Sequence, residues 1–249
     1  MLQVPPSAGP GGQTLIRLLA QLTEAKAPEP VPSLSGQLSQ WLGWTDAIAL
    51  SSALNGHPPA APAAPTAAGR AAAGDDEAEC ARVRKMLTDA IRDDRASARG
   101  RRAPVRPMPA EALDASADFA IYRQRYLTLQ QRMETAIGEL RGRLRSALTR
   151  QPGKARLAML DAVMERVMGP REQALLANVP AVLEANYQRL RQAEESALAD
   201  AQAGEAAAGP TLRGAWRRVF RRDMEAMLLA ELDLRFQPVD GLLAALGGS

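Results

Sequence analysis

The 249-residue chain is 46% hydrophobic and 24% charged, which is enough apolar material for a packed core, and its net charge is only +3. The single cysteine, Cys80, excludes an internal disulfide, and the single histidine, His57, is separated from it by a low-complexity stretch. That pair gives no zinc or haem ligand set and no Cys–His nucleophile, so no metal, no cofactor and no enzymatic activity are expected.

Between Gly12 and Gly56 the pattern is helical. Leu15, Leu18, Leu19 and Leu22 recur at helical spacing and predict a short amphipathic helix, stopped by Pro28, Pro30 and Pro32. Leu34, Leu38, Trp41 and Leu42 predict a second helix capped by Ser33 or Ser35 and interrupted at Gly43. Thr45 and Asp46 read as a fresh cap, followed by Ile48, Leu50 and Leu54, and Asn55-Gly56 is a stop because both residues tolerate the left-handed conformation. Residues 57–76 are rich in Pro, Ala and Gly and read as a disordered linker, with the 1–56 segment docking on a main helical domain at 77–249.

The main domain opens with a helix from Glu77 to about Ala96, marked by Val83, Leu87 and Ile91. Arg95, Arg99, Arg101, Arg102 and Arg106 then form a basic loop. Phe119, Tyr122, Tyr126, Leu129 and Met133, continued by Ile137, Leu140, Leu144 and Leu148, predict one helix of ~45 Å at about 1.5 Å per residue. The narrow, heptad-like stripe expects another long helix against it. Gln151-Pro152-Gly153 ends this helix. A further helix is expected from Lys154 to Met168, stopped by Gly169-Pro170, and another from Arg171 to Ala203, which Pro180 either kinks or restarts. Residues 119–150 and 181–203 are expected to form a long antiparallel hairpin. The last helix is expected from a Thr211 cap to Phe236, with Trp216, Val219, Phe220, Met224, Met227, Leu228, Glu231 and Leu234 on its periodic face and Gln237-Pro238 as its break. No alternation of period two appears, so the predicted fold class is all-α.

No nucleotide-binding glycine motif and no nucleophile elbow is present. The carboxylate pairs Asp223/Glu225 and Glu231/Asp233 are two residues apart, so each splits between helix faces; Glu231 instead reaches Arg235 at a spacing of four. Arg217, Arg218, Arg221 and Arg222 stripe the last helix beside Trp216 and Phe220. They are either the solvated back of an amphipathic helix or a track for nucleic-acid phosphates. Asp223, Glu225, Glu231 and Asp233 follow and disfavour an anionic lipid surface. Trp41 and Trp44, beside Asp46, either pack on the last helix or anchor a protein partner. Dimerisation through the long hairpin is also open. The opening residues lack a basic region and an apolar run, and no stretch approaches the ~18 apolar residues of a spanning helix, so a cytoplasmic protein without membrane insertion is expected.

The strings Trp41-Leu42-Gly43-Trp44-Thr45-Asp46 and Ala230-Glu231-Leu232-Asp233-Leu234-Arg235 resemble the opening and close of an uncharacterised proteobacterial family, domain-of-unknown-function family 3348. The resemblance supplies no activity, cofactor or catalytic residue. Members are encoded near large membrane proteins and a peptidoglycan-binding protein. That neighbourhood implies a non-enzymatic helical adaptor in a cell-envelope-associated assembly, with a membrane or envelope protein as partner; the alternative is nucleic-acid association through the Arg stripe.

Overall fold

The computed structural model describes residues 10–23, 43–55, 66–93, 114–151, 153–203 and 214–247. These residues form seven helices and no strand: α1 (Pro10–Thr23), α2 (Trp44–Asn55), α3 (Thr66–Arg92), α4 (Asp114–Thr149), α5 (Ala155–Leu176), α6 (Val179–Ala203) and α7 (Ala215–Gly247). The all-α class follows directly. The expected helix around Leu34–Leu42, including Trp41, and the 95–106 basic loop lie outside the described residues, as does His57.

The hydrophobic rows explain the packing. On α4 every member of the apolar stripe from Phe119 to Leu148 is buried, as are Val83, Leu87 and Ile91 on α3. Cys80 is a buried mid-helix residue of α3, and burial pushes its thiol above the ordinary value. The organising element is α7, which touches α1, α3, α4 and α6, most extensively α4. It runs parallel to α4: Phe220 meets Phe119 and Tyr122, and further along Glu231 meets Tyr126. The antiparallel neighbour of α4 is shared between two helices. Arg141 pairs with Asp161, and Gln130 reaches the last carbonyl of α5, at Leu176; beyond it Tyr187 of α6 meets Tyr122 and Phe119. The antiparallel flank thus runs α5 then α6 end to end. Helix α3 is antiparallel to both α4 and α7, with Asp76 beside Arg143, Arg84 beside Asp240 and Arg92 beside Glu225. Helix α1 lies on α7 and α6 with Leu15 buried, and α2 lies on α5 with Ala53 buried.

Several expected boundaries move, those of α5 and α7 because burial outweighs a local breaker. Helix α5 continues through Gly169-Pro170 and ends at Leu176, and α7 continues through Pro238 to Gly247. A proline ring removes one backbone hydrogen bond, which costs roughly 3 kcal/mol in an isolated helix interior. Beyond Pro238 the chain buries Val239, Leu242 and Leu246, and fully burying an aliphatic side chain contributes roughly 1.5–3 kcal/mol each, enough to offset the loss. The true break between α5 and α6 is at Ala177-Asn178, so Pro180 stands in the first turn of a new helix, where its missing N–H is tolerated. Helix α3 starts at Thr66, inside the stretch expected as linker; after Pro65 the sequence is alanine-rich and has no proline before Pro104, and alanine has the highest helix propensity. Helix α2 starts at Trp44, so Asp46 sits in its first turn rather than before it. Val219, assigned to the apolar face of α7, is 41% exposed.

Three helix ends are capped by side chains from elsewhere in the bundle. The Glu194 carboxylate on α6 accepts the N–H groups of Gly214 and Ala215, both at 3.0 Å, at the positive end of α7. Gly214 has φ +80, a left-handed conformation that favours glycine. At the other end Lys154 donates to the Ala245 carbonyl at 2.7 Å. Arg125 of α4 donates to the Ile91 and Asp93 carbonyls at the end of α3, at 2.9 and 2.8 Å. The expected cap at Thr211 lies outside the described residues.

Phe220 has no solvent exposure and meets the rings of Phe119, Tyr122 and Tyr187. Phe220→Ala is expected to cost about 3–5 kcal/mol in chemical denaturation. Val219→Ala, on the neighbouring exposed position, is expected to stay within about 0.5 kcal/mol.

Candidate functional site

Glu231 is a carboxylate with no solvent exposure, in the middle of α7 and in register with Met224, Met227 and Leu228. Its neighbours fill its acceptor positions. The Tyr126 hydroxyl donates to it at 2.7 Å, the Gln130 amide at 3.0 Å and the Arg235 Nε at 3.0 Å. Burial, then the Glu231 charge, pushes the Tyr126 phenol far above its ordinary value, so it stays a neutral donor. The same Gln130 amide reaches the Leu176 carbonyl at 3.3 Å, and Arg235 lies 3.6 Å from Glu172 of α5. One centre therefore binds α4, α5 and α7. A charge buried this deeply is tolerated only when paired and hydrogen-bonded.

Beside this centre a cleft of about 410 Å³ opens between α4 and α5, with Glu134, Arg141, Glu165, Glu172 and Arg235 on its walls. Its charges are spent on one another. Arg141 and Arg145 share Asp161 and Glu165 at 2.5–3.3 Å, and Gln173 donates to Glu134. The Arg141 Nε is buried without a hydrogen-bond partner. Burial raises the Glu172 carboxyl above its ordinary value, against the opposing pull of Arg235.

The residues singled out in the sequence separate into two groups. Trp216 and Phe220 are core: Trp216 stacks edge-on to Tyr187 with centroids 4.7 Å apart, and Phe220 lies in the same aromatic cluster, so neither is presented to a partner. The side chains of Arg217, Arg218 and Arg222 lie on the exposed side of α7, Arg217 with its guanidinium 5.5 Å from the Trp216 ring, while Arg221 is half-buried and donates to the Arg217 carbonyl. Asp223 accepts from Asn186, and Glu225 pairs with Arg92, so the basic stripe is confined to the first two turns. Trp44 is 82% exposed, and Ile48, one turn on, is 51% exposed. The opposite side of α2 is held by Ala53 and by Asp46, 3.7 Å from Arg166 of α5.

The ionic centre was the residue set that a search for catalytic motifs passes over. Its signal was present all the same: Glu231 is the one charged residue in the periodic apolar row of α7.

Fold and centre together define an all-α bundle built around a buried, fully paired carboxylate. The chain matches the family described as Protein of unknown function (DUF3348) over residues 1–248, and it belongs to that family. No curated protein and no solved structure matches it. No helix among the described residues is long and apolar enough to cross a membrane.

Glu231→Ala leaves Arg235 short of its principal partner in the core and is expected to cost roughly 3–5 kcal/mol in urea unfolding. Asp233→Ala, exposed on the opposite face, is expected to change stability by less than about 0.5 kcal/mol. A raised carboxyl holds its proton more tightly in the folded chain than in the unfolded one. It therefore favours folding in acid, and that contribution is lost as pH rises through the raised value. Wild type and Glu172→Gln are accordingly expected to melt alike near pH 4, with wild type falling behind as pH rises toward about 7.

Proposed function

We propose that the protein is a non-enzymatic helical adaptor of the cytoplasm, engaging a protein of a cell-envelope-associated assembly through the outer face of α2. The observation that carries this reading is the position of Trp44. A tryptophan that leaves 82% of its surface in water, one turn from the half-exposed Ile48, contributes little to the monomer's core. On a helix whose other face is anchored to α5 it forms a preorganised aromatic anchor, the residue type that dominates binding energy at protein interfaces. The ionisable groups inside the bundle support a non-catalytic role, because Glu231 is already filled by Tyr126, Gln130 and Arg235. The family's genetic neighbourhood points to the envelope as the location of the partner.

A second reading, nucleic-acid association, rests on Arg217, Arg218 and Arg222 standing on the exposed side of α7. Such binding falls steeply with salt. The two readings separate in one experiment: a nuclease-treated pull-down from the host, with wild type and Trp44→Ala in parallel. The adaptor reading expects stoichiometric recovery of an envelope protein, lost by about tenfold or more in Trp44→Ala at unchanged melting temperature. Equal recovery with both proteins removes Trp44 from the interface. Recovery of nucleic acid alone, only when nuclease is omitted and lost on Arg218→Glu, transfers the function to the α7 stripe.

A further inference from the structure

Helix α4 has an outer face that nothing in the described bundle covers. Gln124, Thr128, Gln131, Thr135 and Gly142 lie along it, all exposed or half-exposed, with Gly138 at its edge where the cleft toward α5 begins. None is charged, although charged residues make up 24% of the chain. The threonine hydroxyls on this face are already satisfied within the helix: Thr128 donates to the Gln124 carbonyl at 2.8 Å and Thr135 to the Gln131 carbonyl at 3.0 Å. Both threonines can therefore be buried without leaving a hydroxyl unpaired.

The glycines add an independent argument. Glycine in a helix interior is disfavoured against alanine, and it is retained where another backbone comes close. A Cβ placed on Gly138 or Gly142 would meet nothing within 4 Å. No contact inside the chain accounts for either residue.

Two charges flank the stripe. Arg132 and Glu139 are exposed, lie on the same side of it and have no ion-pair partner among the described residues. They stand seven residues apart, about 10.5 Å along the axis, with Thr135 and Ala136 midway. This arrangement is self-complementary under a two-fold rotation. A second α4 laid antiparallel across Thr135–Ala136 brings each Arg132 against the other chain's Glu139. A parallel two-fold copy would carry Arg132 and Glu139 of the second chain to the opposite edge of the seam, where neither meets an opposite charge.

We infer that the outer face of α4 is a homodimer seam, closed by an antiparallel second copy of this chain about an axis near Thr135. It is an isologous contact, as a two-fold dimer requires. A single helix pair lies at the small end of specific interfaces, so the association is micromolar rather than nanomolar. The seam lies on α4 and uses no residue of α2, so it stands or falls independently of the adaptor reading.

Sedimentation equilibrium of the full chain tests it. A concentration-dependent monomer–dimer equilibrium is expected. Arg132→Glu should weaken it about tenfold, since two attractive pairs become repulsive, and the double exchange Arg132→Glu/Glu139→Arg should restore it. Gly142→Leu should raise the melting temperature of the dilute monomer while weakening the dimer. A chain that stays monomeric throughout the micromolar range overturns the inference. So does a dimer whose strength ignores the single and double charge exchanges, because that dimer is closed elsewhere.

Discussion

The burial of one carboxylate constrains this bundle more than any other contact. Glu231 sits on the central helix with no solvent exposure, and the ways of satisfying its oxygens there are few. It needs Tyr126 and Gln130 on α4 and Arg235 one turn along α7, and Arg235 in turn approaches Glu172 on α5. Apolar side chains tolerate small sliding movements, whereas a paired charge in a dry core does not: shifting α7 by one turn would strand both Glu231 and Arg235. The ion pair thus fixes the register of α7 against α4 and the place where α5 gives way to α6. Its net contribution to stability is small beside that of the aromatic and aliphatic packing around it, because desolvation offsets most of the attraction.

The rest of the architecture follows from having one helix buried on several sides. A central helix cannot rely on water to satisfy its ends, so its neighbours do it: Glu194 at the start and Lys154 at the finish, each with the sign that the helix dipole favours. Burial also carries α7 through Pro238. The aromatic cluster of Phe119, Tyr122, Tyr187, Trp216 and Phe220 closes one end of the bundle, where α4, α6 and α7 meet.

The proposed functions rest on surfaces. Apart from the Arg141 Nε and the Gln237 amide nitrogen, the buried side-chain polar groups among the described residues have partners, whereas three outer faces are left with features that packing does not explain: Trp44 and Ile48 on α2, the arginines at the start of α7, and the uncharged stripe of α4 with its flanking Arg132 and Glu139. A protein that binds an envelope partner with one face and its own copy with another would present its anchors in pairs. Paired anchors strengthen attachment to a multi-subunit assembly through effective concentration rather than through new contacts.

The sequence by itself determined the all-α class, the helices marked by Leu15, by Val83–Ile91 and by the Phe119–Leu148 stripe, and the apolar face of α7 with Glu231 already in it. Those features are local: each is a period of 3.6 read over a few turns, and burial of the same residues enforces it. The tertiary structure alone decided what needed a second helix. Whether Pro170 and Pro238 end a helix depended on what lay beyond them to bury. Which of Trp44 and Trp216 became core depended on Tyr187, which lies far from both in sequence. The caps from Glu194, Lys154 and Arg125, and the Tyr126 and Gln130 partners of Glu231, come from residues 20 to more than 100 positions away, a separation over which periodicity carries no information.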